Sequence, residues 1–310
     1  MSVKVGIAQY GSVHLDLEAS LEKLEKLVKE ASTQKVQMLV FGETWLSGYP
    51  VWLDYCPNVA LWDHGPTKEV YMQFRKSAIT VPGEETQFIS DLAKSYNMVI
   101  TIGINEKIES GKGNGTIYNS LLTFNNDGTL LNHHRKLVPT FTEKLLHGQG
   151  DAQGLKAVET GVGRVGGLIC WEHYMPLSRQ ALHNSGEHIH VAVWPNVHER
   201  LQVASRHYAF EGRCFVLAAG QVVKAKEIPQ VFDLPEDLAN DPEKYVLKGG
   251  SSIIGPDGNY IVEPVWEQEA IVTAEIDVDS VYAERMTLDT SGHYQRHDVF
   301  NFEVNHERQF

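Results

Sequence analysis

The stretch VGGLICWEHYMPLSRQAL, residues 165–182, decides the fold. It opens with a short run of apolar residues and glycines that predicts a buried strand ending at Cys170. Apolar residues at helical spacing follow over 177–184, and a second apolar run at 189–194 predicts another strand. A strand, a helix and a strand in this order are typical of an α/β layer with parallel strands.

The same pattern occurs upstream, so the chain has two similar halves. Residues 3–41 also predict a strand, a helix and a strand. Each half later carries a hairpin turn signal, NDG at 126–128 and PDG at 256–258. Since no Gly/Ser-rich linker separates the halves, we expect one domain over residues 1–277 with internal pseudo-symmetry.

Three stretches depart from this pattern. Residues 48–67 are rich in aromatic residues, proline and glycine, which favours a pocket or an interface over a solvated loop. Residues 224–248 contain several prolines and acidic residues and predict an inserted surface loop. Residues 278–310 form a polar C-terminal tail without clear periodicity.

The composition excludes several classes of function. The 310 residues include 40 acidic and 27 basic ones, a net charge of −13, which disfavours nucleic-acid binding and anionic membrane surfaces. No apolar run reaches the roughly 18 residues of a membrane span. Cys56, Cys170 and Cys214 are too few for a disulfide framework and fit a reducing compartment. With no signal-peptide pattern at the N-terminus, we expect a cytoplasmic protein.

Three polar residues follow buried-looking strands, where open α/β layers usually carry their active sites. Glu43 follows VQMLVFG, Lys136 follows the second strand of the first hairpin, and Cys170 ends VGGLIC. Each alone is more often a structural or solvated residue. Together they could serve as base, cation and nucleophile, because a thiol becomes reactive when a base takes its proton and a cation stabilises the thiolate.

Four segments carry a resemblance to a known family. The stretches FGETWLSGYP (41–50), HRKLVPTFTEK (134–144) and CWEHYMPLSRQAL (170–182) resemble the three signatures of the carbon–nitrogen hydrolase superfamily. The form CWEH at 170–173 is similar to the nitrilase branch rather than to the amidase branches. DTSGHYQRHD (289–298) also resembles the C-terminal Gly-His-Tyr segment of nitrilases, so the resemblance extends over nearly the whole chain.

The resemblance implies an α/β fold of the α+β type, a four-layer αββα sandwich that associates through its helices into dimers or larger spirals. It implies a catalytic set in which Glu43 is the proton acceptor, Lys136 the cationic stabiliser and Cys170 the nucleophile. Glu143 matches the supporting glutamate of the family, with a structural charge partner of Lys136 as the alternative. The insert and the C-terminal tail are the expected contacts for larger oligomers.

Three positions depart from the family pattern. Gly42 stands where proline usually precedes the base, Lys144 where arginine is common, and His297 where proline is common. None of them is a reacting group, so the implied reaction class is unaffected. Gly42 would loosen the backbone beside the base, and Lys144 lacks the bidentate fork of arginine.

Six ring-bearing side chains near the signatures are candidate walls of a substrate pocket. They are Trp45, Tyr49, Phe141, Trp171, His173 and Trp194. Packing in the core is the alternative for each, because rings at strand ends often belong to the core. Phe141 lies between Lys136 and Glu143 in the sequence, so we expect it to shape the accepted substrate size.

The implied reaction converts an organic nitrile and water to a carboxylic acid and ammonia, through a thioimidate and then a thioester on Cys170. We expect neither an organic cofactor nor a metal, because the histidines lack the spacing of a metal site. The glycines at 161–167 precede a strand rather than follow one, which disfavours a dinucleotide loop.

Four other functions stay open at this point. An amidase of the same superfamily would share the thioester half of the reaction, and a cyanide-hydrating enzyme would use the same residues on the smallest nitrile. A non-catalytic assembly protein could retain the fold, although the presence of Glu43, Lys136 and Cys170 argues against it. A redox-sensing role for Cys170 would require a resolving cysteine, and none is near it in the sequence.

Overall fold

The computed structural model describes residues 1–57, 59–229 and 231–308, and within these residues thirteen strands form two sheets. The strands are β1 (Ser2–Gln9), β2 (Met38–Phe41), β3 (Val99–Lys107), β4 (Ile117–Phe124), β5 (Leu130–Arg135), β6 (Val158–Thr160), β7 (Gly163–Ile169), β8 (Ile189–Val193), β9 (Phe215–Ala219), β10 (Val222–Lys224), β11 (Tyr245–Ile254), β12 (Tyr260–Trp266) and β13 (Ala270–Asp277).

Helices cover the outer faces of both sheets. The α-helices are α1 (Leu17–Thr33), α2 (Trp52–Tyr55), α3 (Gly65–Ser77), α4 (Glu84–Ser95), α5 (Pro176–Asn184), α6 (Glu199–Gly212), α7 (Glu236–Ala239) and α8 (Ser280–Arg285). Three short 3₁₀ helices span Phe141–Leu145, Cys170–Tyr174 and Ala225–Glu227. Among the residues described, no helix combines the length and the apolar character that a membrane crossing requires.

The first sheet has the strand order β13-β1-β2-β3-β4-β5. Strands β1, β2 and β3 are parallel, and β4 and β5 continue the sheet in antiparallel pairs. In β2, Met38 and Val40 belong to the cluster between the sheets, whereas Leu39 and Phe41 belong to the cluster under α1 and α4. A strand covered on both faces has a continuous apolar run, which is why this segment shows no alternation.

The second sheet has the strand order β10-β11-β9-β8-β7-β6, and β12 also pairs with β11. Strands β7, β8 and β9 are parallel, and β11 and β12 follow as antiparallel partners, in the same arrangement as β1 to β5. Both predicted hairpin turns are confirmed, between β4 and β5 and between β11 and β12. The two similar halves are therefore two copies of one strand arrangement.

The two sheets pack face to face, and the helices lie outside them, so the expected αββα sandwich is confirmed. Helix α1 shows why the outer layer forms where it does. Asp16 caps its N-terminus by accepting from Ala19 N at 3.0 Å. Its Leu24, Val28 and Ala31, one helical turn apart, are buried against the first sheet.

The segment at 224–248, predicted as an inserted surface loop, is partly regular and is anchored by buried apolar side chains. It contains the end of β10, helix α7 and the start of β11, and its Phe232 and Leu238 are buried. They share an apolar cluster with the aromatic segment around α2, where the rings of Trp52 and Phe232 stack with centroids 5.1 Å apart. The insert and the part of the aromatic segment around α2 thus pack against each other.

The C-terminal tail packs against the sandwich of the same chain. Phe302 and Val304 pack against the cluster between the sheets. Nδ1 of His306 lies 2.7 Å from the carbonyl oxygen of Ala152. Arg308 donates to the carbonyl oxygen of His133 at 2.8 Å, so the tail reaches strand β5.

Replacing Phe232 with alanine should destabilise the protein by about 3 to 5 kcal/mol, because it leaves a cavity beside Trp52. The measurement is the free energy of unfolding in denaturant. Val231→Ala is the matched control, since Val231 is 43% exposed and Phe232 only 8%. The control should change stability by less than about 0.5 kcal/mol. Equal effects of the two substitutions would contradict the packing of the insert described above.

Candidate active site

Three strand ends bring the predicted polar residues together. Glu43 follows β2, Lys136 follows β5, and Cys170 follows β7 of the second sheet. Strands β2 and β5 run in the same direction, so their carboxyl ends lie at one edge of the first sheet. Glu143 joins them from the 3₁₀ helix at 141–145. One carboxylate oxygen of each glutamate and the sulfur of Cys170 lie within 4.8 Å of one another.

The ammonium group of Lys136 lies between the two glutamates. Its Nζ is 2.7 Å from Oε1 of Glu43 and 2.9 and 2.7 Å from the two oxygens of Glu143. All three side chains are buried. Burial alone would lower the pKa of Lys136, but the charges of Glu43, Cys170 and Glu143 raise it above its ordinary value. Lys136 therefore stays protonated and supplies a fixed positive charge.

The two oxygens of the Glu43 carboxylate have different environments. Oε1 accepts from Lys136 and, at 2.7 Å, from Nδ2 of Asn119. Oε2 is buried and has no hydrogen-bond partner among the residues described. A buried carboxylate oxygen without a donor is costly. It is also available to accept a proton from a group placed beside it, and the Cys170 thiol is close by.

The protonation of this cluster is set by burial and by the number of charges. Burial raises the pKa of Glu43 to about 7, against the opposing effect of Lys136 and with a further increase from Glu143. Burial and Glu43 also raise the pKa of the Cys170 thiol well above its ordinary value, although Lys136 opposes them. At neutral pH the thiol therefore keeps its proton, and Glu43 is poised to accept it.

The backbone at Cys170 is held in an unusual conformation. Its φ of 53° lies in the left-handed region, which costs a non-glycine residue energy. Cys170 begins the 3₁₀ helix that follows β7, and the backbone N–H of Trp171 opposes the rise in the pKa of its thiol. This N–H favours the thiolate over the thiol, because it donates to the charged form.

Glu172 braces the ends of two strands. Its carboxylate accepts from Ile169 N at 2.7 Å, from Leu137 N at 2.8 Å and from Nε2 of His134 at 3.0 Å. Burial alone would raise the pKa of Glu172, but His134 and the two backbone donors hold it below its ordinary value. Glu172 therefore fixes the segment after β5 to the segment that carries the thiol.

A cavity of about 260 Å³ opens beside Cys170 and Glu143. Tyr49, Phe141 and Trp171, three of the six predicted pocket residues, line it. Phe141 is 84% exposed and Trp171 56%, so both lie at the entrance, whereas Cys170 is only 5% exposed. The hydroxyl of Tyr49 donates to Glu143 at 3.4 Å, which connects the cavity wall to the charged cluster.

The other three predicted pocket residues do not line this cavity. Trp45 packs against Phe41 on the outer face of the first sheet and donates to the carbonyl oxygen of Tyr10 at 2.8 Å. His173 and Trp194 are buried and stacked on each other with ring centroids 4.6 Å apart. These three side chains therefore pack inside the protein and do not face the cavity.

Sequence reasoning missed several residues of the site. Asp54, Asn196 and His198 also line the cavity, and they follow no periodic pattern that would single them out. Asn119 could have been noticed as an amide within the apolar strand β4. Gln221 donates to the carbonyl oxygen of Glu43 at 2.7 Å, from a segment more than 170 residues away.

The structure gives a reason for the glycine that precedes Glu43. A Cβ atom at Gly42 would lie 2.7 Å from Cγ of Gln221. Glycine therefore leaves the room that Gln221 needs to hold the backbone of Glu43.

The donor set of Glu43, Glu143 and Cys170 has the composition of a cation site. Lys136 already places an ammonium 2.7 Å from an oxygen of each glutamate. This ammonium lies between the two carboxylates, in the position that a metal ion bound by them would occupy. The carboxylates and the thiol instead have one permanent cation, supplied by the chain itself.

The sandwich of two duplicated halves carries a thiol, an ammonium and two carboxylates at its strand ends. The family model described as carbon-nitrogen hydrolase matches residues 4–286, nearly the whole chain. The protein therefore belongs to the carbon–nitrogen hydrolase family.

Comparisons with individual proteins agree with this assignment. The chain is 38% identical over 303 residues to a protein named Nitrilase 2 from an unknown prokaryotic organism, covering 97% of this chain and 92% of that protein. It is 34% identical to an aliphatic nitrilase of Sinorhizobium fredii (strain HH103), covering 98% and 96%. A carbon-nitrogen hydrolase from Helicobacter pylori G27 shares the fold, with a TM-score of 0.72 at 20% identity and coverage of 96% and 97%.

The pKa of about 7 for Glu43 leads to a test on the thiol itself. We expect the rate constant for alkylation of Cys170 by iodoacetamide to rise with pH up to about 7 and then to level off. Below that pH both groups hold protons, and above it the pair shares one proton. Glu43→Gln should remove the plateau and slow the reaction at pH 7.

Peptide mass spectrometry would measure the modification of each cysteine separately. Cys56 is the internal control, because burial raises its pKa to about 11 and its reaction should not level off near pH 7. A plateau that survives in Glu43→Gln would show that Glu43 is not the base.

Proposed function

We propose that the protein is a nitrilase, which hydrolyses an organic nitrile to a carboxylic acid and ammonia. The observation that carries the proposal is the unpartnered Oε2 of Glu43, buried near the Cys170 sulfur while Lys136 holds the other oxygen. A base, a nucleophile and a cation are thereby placed around one point. The names of the similar proteins, Nitrilase 2 and aliphatic nitrilase, favour a nitrile as the substrate.

The first half of the reaction forms a covalent adduct. Glu43 accepts the proton of the Cys170 thiol as the sulfur attacks the nitrile carbon, and the carbon–nitrogen triple bond becomes a double bond. Negative charge develops on nitrogen, where the Lys136 ammonium and the Trp171 N–H stabilise it. One such preorganised donor is typically worth about 2.7 to 4 kcal/mol. Glu43 returns the proton to nitrogen, and the product is a thioimidate.

The second half releases both products. Glu43 takes a proton from a water molecule that adds to the thioimidate carbon, and the carbon–nitrogen bond breaks as protonated nitrogen leaves as ammonia. A thioester remains on Cys170. A second water, activated in the same way, breaks the carbon–sulfur bond and gives the acid and the thiol. Glu143 supports these steps by keeping the Lys136 ammonium in place.

The cavity favours a small nitrile. Its volume of about 260 Å³ is smaller than the volumes that ligand pockets usually have. Phe141 and Trp171 form its entrance, so we propose that these two side chains set the upper limit on substrate size. Tyr49 lines the inner part beside Glu143.

Cys170→Ala should lower ammonia release from a panel of small nitriles by more than about a thousandfold, because the nucleophile is lost. Cys56→Ala is the matched control and should retain activity, since Cys56 lies in the apolar cluster around α2. Circular dichroism would verify that both variants are folded.

The same assay separates the nitrilase from its alternatives. Each nitrile is tested beside its matching amide, and cyanide is included in the panel. Ammonia from the amide alone would identify an amidase, and turnover of cyanide alone would identify a cyanide-hydrating enzyme. Unchanged activity in Cys170→Ala would refute a catalytic role for the thiol.

We further propose that the protein is a cytoplasmic homo-oligomer, a dimer or larger. The three unpaired cysteines support a reducing compartment. Deleting residues 285–310 should lower the mass measured by light scattering, if the tail contributes contacts between subunits. An unchanged mass would refute this role of the tail.

A further inference from the structure

Three buried side chains, His173, His190 and Glu187, form a line of hydrogen bonds that starts at Cys170 and leads toward the helices covering the second sheet. Nδ1 of His173 lies 2.7 Å from the carbonyl oxygen of Cys170, and its Nε2 lies 3.0 Å from Nε2 of His190. Nδ1 of His190 lies 2.9 Å from Oε2 of Glu187. All three side chains are buried, and no reaction step above uses them.

The protons along this line can be counted, because each contact requires one donor. The carbonyl of Cys170 only accepts, so Nδ1 of His173 carries a proton. Burial and the neighbouring His190 lower the pKa of His173 well below its ordinary value, so this ring is neutral. Its Nε2 is then an acceptor, and Nε2 of His190 must donate to it.

The other nitrogen of His190 completes the count. Burial opposes ionisation of Glu187, but His190 and His183 outweigh it and hold the pKa of Glu187 below its ordinary value. Glu187 is therefore a carboxylate, which only accepts, and Nδ1 of His190 donates to it. The three contacts require three protons on the two rings, one more than two neutral imidazoles hold, so the line carries a positive charge and ends in the buried pair of His190 and Glu187.

Neighbouring elements hold this pair from several sides. Tyr208 donates its hydroxyl to Glu187, and its ring stacks on His190 with centroids 3.6 Å apart. The other titratable or charged groups around the pair and the line are Arg179 and His183 of α5, Glu211 of α6, Cys214 beside β9, and Arg285 of α8. An apolar core of the same volume would avoid the desolvation of this pair, so stability alone explains it poorly.

The near end of the line holds one particular peptide group. The Cys170 carbonyl and the Trp171 N–H belong to the same peptide, and that N–H lowers the pKa of the Cys170 thiol. Hydrogen bonds in a chain polarise one another, so a cation beyond His173 makes this N–H a stronger donor. The same contact restrains the left-handed backbone of Cys170.

We propose that His190, held by Glu187, is a positioning residue that acts through His173 to orient and polarise the Cys170–Trp171 peptide. The N–H of this peptide then stabilises the thiolate and the anionic nitrogen of the adduct. The effect on the adduct rests on the proposed nitrilase reaction, whereas the effect on the thiolate does not.

The test compares His190→Gln with His183→Gln. His183 also contacts Glu187 and is equally buried, but it does not lie between Glu187 and Cys170. We expect His190→Gln to slow the alkylation of Cys170 by iodoacetamide several-fold at pH 7. It should lower kcat on a nitrile roughly tenfold to a hundredfold with little change in KM, since a weakened donor acts mainly on the transition state. His183→Gln should stay within about twofold of the wild type in both assays.

The alkylation assay needs no nitrile, so it tests the proposed role of His190 even if the protein hydrolyses no nitrile at all. Circular dichroism would verify that each compared variant is folded, so that the rates report on Cys170 of the folded protein. Wild-type rates in His190→Gln, or equal losses in both variants, would overturn the proposal. If His190→Gln does not fold, Glu187→Gln replaces it, with the same expected losses.

Discussion

One ammonium group shared by two buried carboxylates is the interaction on which the site depends. Lys136 lies within 2.7 Å of an oxygen of both Glu43 and Glu143. A lone carboxylate buried here would be neutral, and one paired with its own cation would be too weak a base. Because one cation serves two anions, Glu43 falls between these limits, with a pKa of about 7. The thiol is thereby given a base that works at neutral pH.

The backbone around this cluster is built to aim side chains rather than to minimise strain. Thr44, Phe141 and Cys170 have φ values of 45°, 44° and 53°, although none is glycine. Each lies one or a few residues after a strand end or at the start of a short helix, where the chain must turn sharply. Strain of this kind persists only when its surroundings hold it, and Glu172 and His173 provide such contacts.

The sequence was sufficient to bring Glu43, Lys136 and Cys170 to one site but not to define the pocket beside them. Glu43, Lys136 and Cys170 could be located because strands are recognisable from their apolar runs, and strand ends meet at a sheet edge. The direction of a ring beyond a strand end depends on the turn, and residue types do not specify its φ. Trp45 follows Thr44 and packs into the outer layer, whereas Phe141 is exposed at the cavity.

The composition of the insert also concealed its packing, because its few apolar residues occupy buried positions. The prolines and acidic residues of the insert predicted a surface loop and gave no sign that Phe232 and Leu238 fix it against Trp52. Asn119 and Gln221 reach Glu43 only through tertiary packing, which no local pattern records. The relation between the halves, in contrast, was predictable, because both repeat the same order of apolar runs and turns.

The duplication has a consequence for the order in which the site is made. Glu43, Lys136 and Glu143 belong to the first half of the chain. Cys170 belongs to the second half and follows strand β7. During synthesis the base and the cation emerge before the thiol, and the thiol meets them only when the second sheet docks on the first. A half-folded chain therefore carries an ordinary cysteine, and the reactive arrangement appears only with the completed sandwich.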